Sequence, residues 1–78
     1  MLKFILVEET SQKVVYKYYP EGGTDAGVVS FDKESKTNSI VTLSEKDRHH
    51  RYAQQLFARI REFANSNSFA KEGLIAWY

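Results

Sequence analysis

A single amphipathic stretch in the last third of the chain is the feature that most constrains the fold. Its apolar side chains recur at helical spacing, and on a helical wheel they fall within an arc of about 140°. They are Tyr52, Ala53, Leu56, Phe57, Ile60, Phe63 and Ala64. We expect a helix from Glu45 to about Ala64, with Ser44 as its N-cap and Asn65 in a left-handed conformation at its end. The rest of the chain must cover the apolar face of this helix.

Four segments that precede this stretch have the length and composition of β-strands. They are rich in β-branched and aromatic residues, and the second alternates between two faces. They are Leu2–Val7, Lys13–Tyr19, Val28–Asp32 and Ser39–Leu43. Because the connections are short, we expect an antiparallel meander, and we expect Pro20 to end the second strand.

The tail Phe69–Tyr78 is too apolar to extend freely into solvent. Within it, Leu74–Tyr78 predicts a fifth strand at a sheet edge, and a segment packed over the helix is the alternative. The predicted fold class is α+β, with a four-stranded antiparallel β-meander packed on one long amphipathic helix, in the order β-β-β-β-α-β. We expect residues 1–78 to form one domain.

The composition excludes several classes of protein. The chain has 78 residues and no cysteine, which rules out disulfides, cysteine-based zinc or iron–sulfur sites and thiol nucleophiles. A net charge of +1 gives no global attraction to nucleic acid or to an anionic membrane. No run approaches the roughly 20 apolar residues of a membrane span, and Leu2–Val7 is too short for a signal peptide. We therefore expect a cytoplasmic protein with no membrane partner.

The residues that most often carry chemistry do not form a recognisable site. His49 and His50 are adjacent, so on a helix they diverge by about 100° and cannot easily hold one metal ion. We expect His49 to pack near the start of the helix. The glycine-rich loop from Gly22 to Gly27 lacks the Lys-Ser/Thr of a phosphate-binding loop, and no Gly-x-Ser-x-Gly motif is present. We predict no enzyme, no catalytic or metal-binding residue and no cofactor.

A row of polar residues on the opposite side of the helix is one candidate surface. Arg48, Arg51, Gln55 and Arg59 recur at spacings of three and four, which places them on one ridge. Such a ridge suits contacts to nucleic-acid phosphates or to a partner protein. The alternative is a solvated helix face with local ion pairs such as Arg59–Glu62.

The second candidate surface is the sheet face that the helix does not cover. If the helix packs on Tyr16 and Tyr18, then Val15, Lys17 and Tyr19 lie on the opposite face. Together with Trp77 and Tyr78 they form a candidate protein interface.

Both faces of the first strand are apolar, so one face must be covered by the C-terminal segment or by a partner chain. We therefore predict a non-enzymatic interaction module that binds a second copy or another protein through an open sheet face or edge. Nucleic-acid binding through the helix ridge is the less favoured alternative.

Four short segments resemble small uncharacterised bacterial proteins, and together they span nearly the whole chain. They are Glu8–Thr10, Tyr18–Gly22, Arg59–Phe63 and Lys71–Tyr78. The resemblance implies a bacterial cytoplasmic protein. It implies no activity, ligand or catalytic residue.

Overall fold

The computed structural model describes residues 1–21, 23–47 and 49–76. Its elements are β1 (Leu2–Glu9), β2 (Lys13–Pro20), β3 (Gly27–Asp32), β4 (Thr37–Thr42), α1 (Arg51–Ser66) and β5 (Glu72–Ile75). The predicted α+β class and the order β-β-β-β-α-β are confirmed.

The strands form one antiparallel sheet in the order β4-β3-β2-β1-β5. The first four follow each other as a meander, and β5 returns to the other side of β1, where Ile75 lies opposite Leu2. The fifth strand is therefore confirmed, although it lies earlier than the predicted Leu74–Tyr78. Because β5 lies beside β1, it extends the sheet and does not cover either of its faces. Residues 77 and 78 lie outside the described residues.

One face of the sheet packs on α1, and we call it the inner face. Tyr16 and Tyr18 of β2 are fully buried there, which meets the condition for Val15, Lys17 and Tyr19 to lie on the opposite face. The core that forms between the sheet and the helix consists of Leu2, Phe4, Val14, Tyr16, Tyr18, Val29, Phe31, Ala53, Leu56, Ile60 and Ile75. Alternate residues of each strand point to the opposite, outer face.

The helix has 16 residues and begins at Arg51, so the prediction that it begins at Glu45 was wrong. Residues 45–51 are all polar and offer no apolar face for packing. The chain instead makes a turn, in which the N–H of Asp47 donates to the carbonyl of Ser44 at 3.0 Å. His50 then adopts a left-handed conformation with φ of 59°, which separates this turn from the helix.

Asp47, and not Ser44, caps the helix. Its carboxylate accepts the backbone N–H groups of Tyr52 and Ala53, each at 3.0 Å, and these are among the donors that a helix leaves unsatisfied in its first turn. At the other end, the left-handed residue is Asn67, with φ of 54°, and not the predicted Asn65.

Candidate interaction surface

The outer face carries an apolar cluster on β1, β2, β3 and β5 that is surrounded by polar and charged residues. By strand register the face comprises Lys3, Ile5, Glu8, Lys13, Val15, Lys17, Tyr19, Val28, Ser30, Asp32, Thr37, Ser39, Thr42, Glu72 and Leu74. Val7 and Val41, at the irregular positions of β1 and β4, are also exposed, to 53% and 62%, and Leu74 is exposed to 61%. No helix or strand among the described residues crosses this face.

One row of register partners crosses all five strands on this face. It runs from Glu72 through Ile5, Lys17 and Val28 to Thr42. Since β2 is the middle strand, Lys17 lies at the centre of the outer face. The row therefore places a cation and an anion on the two sides of Ile5.

Lys17 and Glu72 take part in none of the ion pairs within the described residues. Those pairs join the N-terminus to Glu21, Lys13 to Glu8, Lys33 to Glu9 and Arg59 to Glu62. Adjacent strands lie about 4.8 Å apart, so the backbones of Lys17 and Glu72 are separated by about 10 Å across β1. Within the described residues of one molecule, neither charge has a counter-ion.

Two shallow depressions lie at the end of the outer face where β1 begins. One, of about 450 Å³, is lined by Lys3, Glu72, Gly73 and Leu74. The other, of about 300 Å³, is lined by Lys3, Ile5, Tyr19, Gly23 and Thr24. Lys3 separates the two, and each combines apolar and polar walls.

Most of the predicted protein interface is found on this face. Val15 and Tyr19 are half-buried and Lys17 is exposed, and all three follow one side of β2. The predicted members Trp77 and Tyr78 lie outside the described residues. Sequence reasoning missed Glu72, because it placed the start of the fifth strand two residues too late. It included Leu74 in that strand but did not assign it to the interface.

The helix ridge is only partly available for binding. Arg51 and Gln55 are exposed. Arg59 donates from Nε to the carboxylate of Glu62 at 3.2 Å, which confirms the predicted local ion pair and reduces the charge that Arg59 presents. Arg48 lies outside the described residues.

His49 is exposed, so the expectation that it packs near the helix start was wrong. The prediction failed because the helical wheel was extended to residues that precede the start of α1 at Arg51.

In the described residues, no three side chains of His, Cys, Asp or Glu lie close enough to hold a metal ion. None of the described helices is both long enough and apolar enough to cross a bilayer.

A buried polar network fixes the start of the helix to the sheet. The hydroxyl of Tyr18 donates to the Asp47 carboxylate at 3.1 Å, and the carboxylate of Asp25 accepts the hydroxyl of Ser44 at 3.0 Å and the N–H of Glu45. Burial is the main reason that the pKa of Tyr18 is raised to about 12. Because these groups bond to one another and to the backbone, the network supports the fold. The sequence did contain a signal for the late start of the helix, because the apolar residues at helical spacing begin only at Tyr52.

Comparison of the chain with protein-family models, with curated proteins and with solved structures gave no match. Function is therefore inferred from the surfaces of this chain alone. The resemblance to small bacterial proteins stays a prediction.

Proposed function

We propose that this protein is a non-enzymatic interaction module that binds a polypeptide chain through its outer sheet face. The observation that carries the proposal is the row centred on Ile5 and Lys17, on a face that no helix or strand among the described residues covers. Antiparallel sheets with one solvated face normally alternate between apolar and polar residues. Here Ile5, Val15, Val28 and Leu74 break that alternation on the solvent side.

The arrangement of residues on the outer face resembles that of a protein interface. Aliphatic side chains and Tyr19 surround its centre, whereas Ser30 and Thr42 lie toward the β4 side. Interfaces commonly have an apolar, aromatic-rich centre and a polar rim. The outer face matches this pattern in the residues that surround Lys17 and departs from it at Lys17 itself. Contiguous exposed apolar surface is also a common mark of a binding site.

The edge strand β4 offers a second route for the same kind of partner. Thr37–Thr42 contains no charged residue and no proline, and β3 is its only neighbour in the described sheet. Natural proteins usually protect such edges with charges, prolines or bulges. The bulge at Val41 gives partial protection, so that an added strand would pair mainly with Thr37–Ile40.

Two variants that each introduce one glutamate test which surface binds. Ile5→Glu changes the outer face and Gln55→Glu changes the helix ridge, and both sites tolerate a polar side chain because neither is fully buried. Peptides are selected from a displayed random library on the wild-type protein, and their affinities for both variants are then measured. We expect about tenfold weaker binding to Ile5→Glu, since a charge would replace an apolar contact, and unchanged binding to Gln55→Glu.

Circular dichroism and thermal melts must show that both variants remain folded. Peptides that bind Ile5→Glu as well as wild type would contradict the proposal. Peptides that bind wild type and Ile5→Glu but not Gln55→Glu would instead favour binding at the helix ridge. Nucleic-acid binding through that ridge, a cytoplasmic location and a bacterial origin stay predictions.

A further inference from the structure

We infer that the outer face binds a second copy of this chain, with β1 of one copy stacked on β1 of the other and Lys17 of each copy paired with Glu72 of its partner. This inference rests on the proposed function, and it specifies both the partner and the contacts. It follows from the charge pattern of the central row.

The segment Glu72–Ile5–Lys17 of that row is self-complementary. In a closed dimer, a two-fold axis relates identical patches, so that residue i meets residue j and residue j meets residue i. Two outer faces can stack with a two-fold axis between them that runs parallel to β1. Rotation about this axis places β5 of each copy over β2 of the other. Ile5 then faces Ile5, and each Lys17 faces a Glu72 across the interface.

The same operation matches the neighbouring row. Lys3 of β1 has Leu74 on its β5 side and Tyr19 on its β2 side, so the two-fold axis places Leu74 of each copy against Tyr19 of the other. Leu74 is one of the most exposed large apolar residues of the described chain, and Tyr19 is half-buried. Packed sheets lie about 10 Å apart, a distance that these side chains can span.

A dimer with its axis along β2 is disfavoured by the same pattern. It would place Lys17 against Lys17 at the centre of the interface, where a buried charge without a counter-ion is costly. An axis along β1 instead gives each of the two unpaired charges an opposite partner. Lys3 meets Lys3 under this operation, but it lies at the end of the face, where a long side chain can extend into water.

The contact covers β5, β1 and β2 and leaves β3 and β4 outside. Three short strands form an interface smaller than that of a typical permanent dimer. We therefore expect a weak dimer, observed as a concentration-dependent mass in sedimentation velocity and light scattering. Added salt should weaken it, because the reciprocal ion pairs lie near the rim.

Charge reversal with rescue tests the pairing. By symmetry, Lys17→Glu and Glu72→Lys each convert both ion pairs into like-charge contacts, and each should raise the dimer dissociation constant about tenfold or more. The double variant Lys17→Glu/Glu72→Lys restores opposite charges and should return it to within about threefold of wild type. Arg61→Glu, at an exposed helix residue, is the control for Lys17→Glu, because both lower the net charge by the same amount, and it should not alter dimerisation.

Each outcome separates this inference from the proposed function. A wild-type protein that stays monomeric at the highest attainable concentration, or a double variant as monomeric as the single variants, would overturn the dimer. If selected peptides still bind in a way that depends on Ile5, the proposed function stands and only the identity of the partner is wrong. If Ile5→Glu affects neither peptides nor self-association, both proposals fail.

Discussion

The two faces of β2 both carry tyrosine and valine, but they differ in their charged residues and in their surroundings. Tyr16 and Tyr18 on the inner face are fully buried, and their hydroxyls donate to the Ala70 carbonyl at 2.6 Å and to Asp47 at 3.1 Å. Tyr19 on the outer face is half-buried and lies beside Lys17. The comparison teaches that the buried tyrosines on the inner face of β2 have hydrogen-bonded hydroxyls. The outer face keeps charges that still lack a counter-ion within the described residues.

Alanine substitutions at two adjacent residues of β1 should show the largest difference between the faces. Phe4 is 2% exposed and contacts the rings of Tyr16 and Phe63, with centroids 5.6 and 6.0 Å away. We expect Phe4→Ala to lower the free energy of unfolding by about 3–5 kcal/mol, because it leaves a cavity in the core. The half-exposed Ile5 should cost about 1 kcal/mol when changed to alanine.

Urea titrations at low protein concentration measure both changes and keep self-association out of the comparison. Equal losses for Phe4→Ala and Ile5→Ala would mean that the outer face is as well packed as the inner face. That result would also remove the basis for a docking surface.

The strands were predictable from the sequence because alternation and β-branched residues depend on local patterns. Val15, Lys17 and Tyr19 were placed on the open face by one rule, that alternate strand residues point to opposite sides. The placement of Lys17 and Glu72 on the two sides of Ile5 was not predictable. It depends on the register between β1 and β5, which are far apart in the chain.

The start of the helix was mispredicted because its polar residues have a second use. Ser44, Glu45 and Asp47 match the preferences of a helix cap and first turn. In the fold, however, Asp47 bonds to Tyr18 from a distant strand and caps a helix that begins at Arg51. Local propensity could not reveal this tertiary contact.

Alkaline pH should weaken the inner face in particular. Burial raises the pKa of Tyr16, and likewise that of Tyr18, from 10.0 to about 12. The folded state therefore retains protons that the unfolded state loses, so stability is complete below pH 10 and falls as the pH rises through 12. We expect each tyrosine to account for a loss of about 2–3 kcal/mol across this window.

Urea unfolding at a series of pH values from 8 to about 12 measures this loss. Tyr16→Phe and Tyr18→Phe should each reduce the slope of stability against pH, whatever they do to stability at pH 8. A slope that neither variant changes would mean that groups outside the inner face cause the alkaline loss.

The smallest expected effect concerns His50, which lies between the turn at residues 44–47 and the start of α1. His50 has a left-handed backbone, with φ of 59°, which is unfavourable for a residue with a Cβ atom and neutral for glycine. His50→Gly should therefore raise the free energy of unfolding by about 0.5–1 kcal/mol. The adjacent exposed residue His49 does not share this conformation, so His49→Gly should lower stability slightly, by about 0.5 kcal/mol. Urea titrations of both variants test this difference. A helix that began at Glu45 would place both histidines in its interior, and both glycine substitutions would then lower stability.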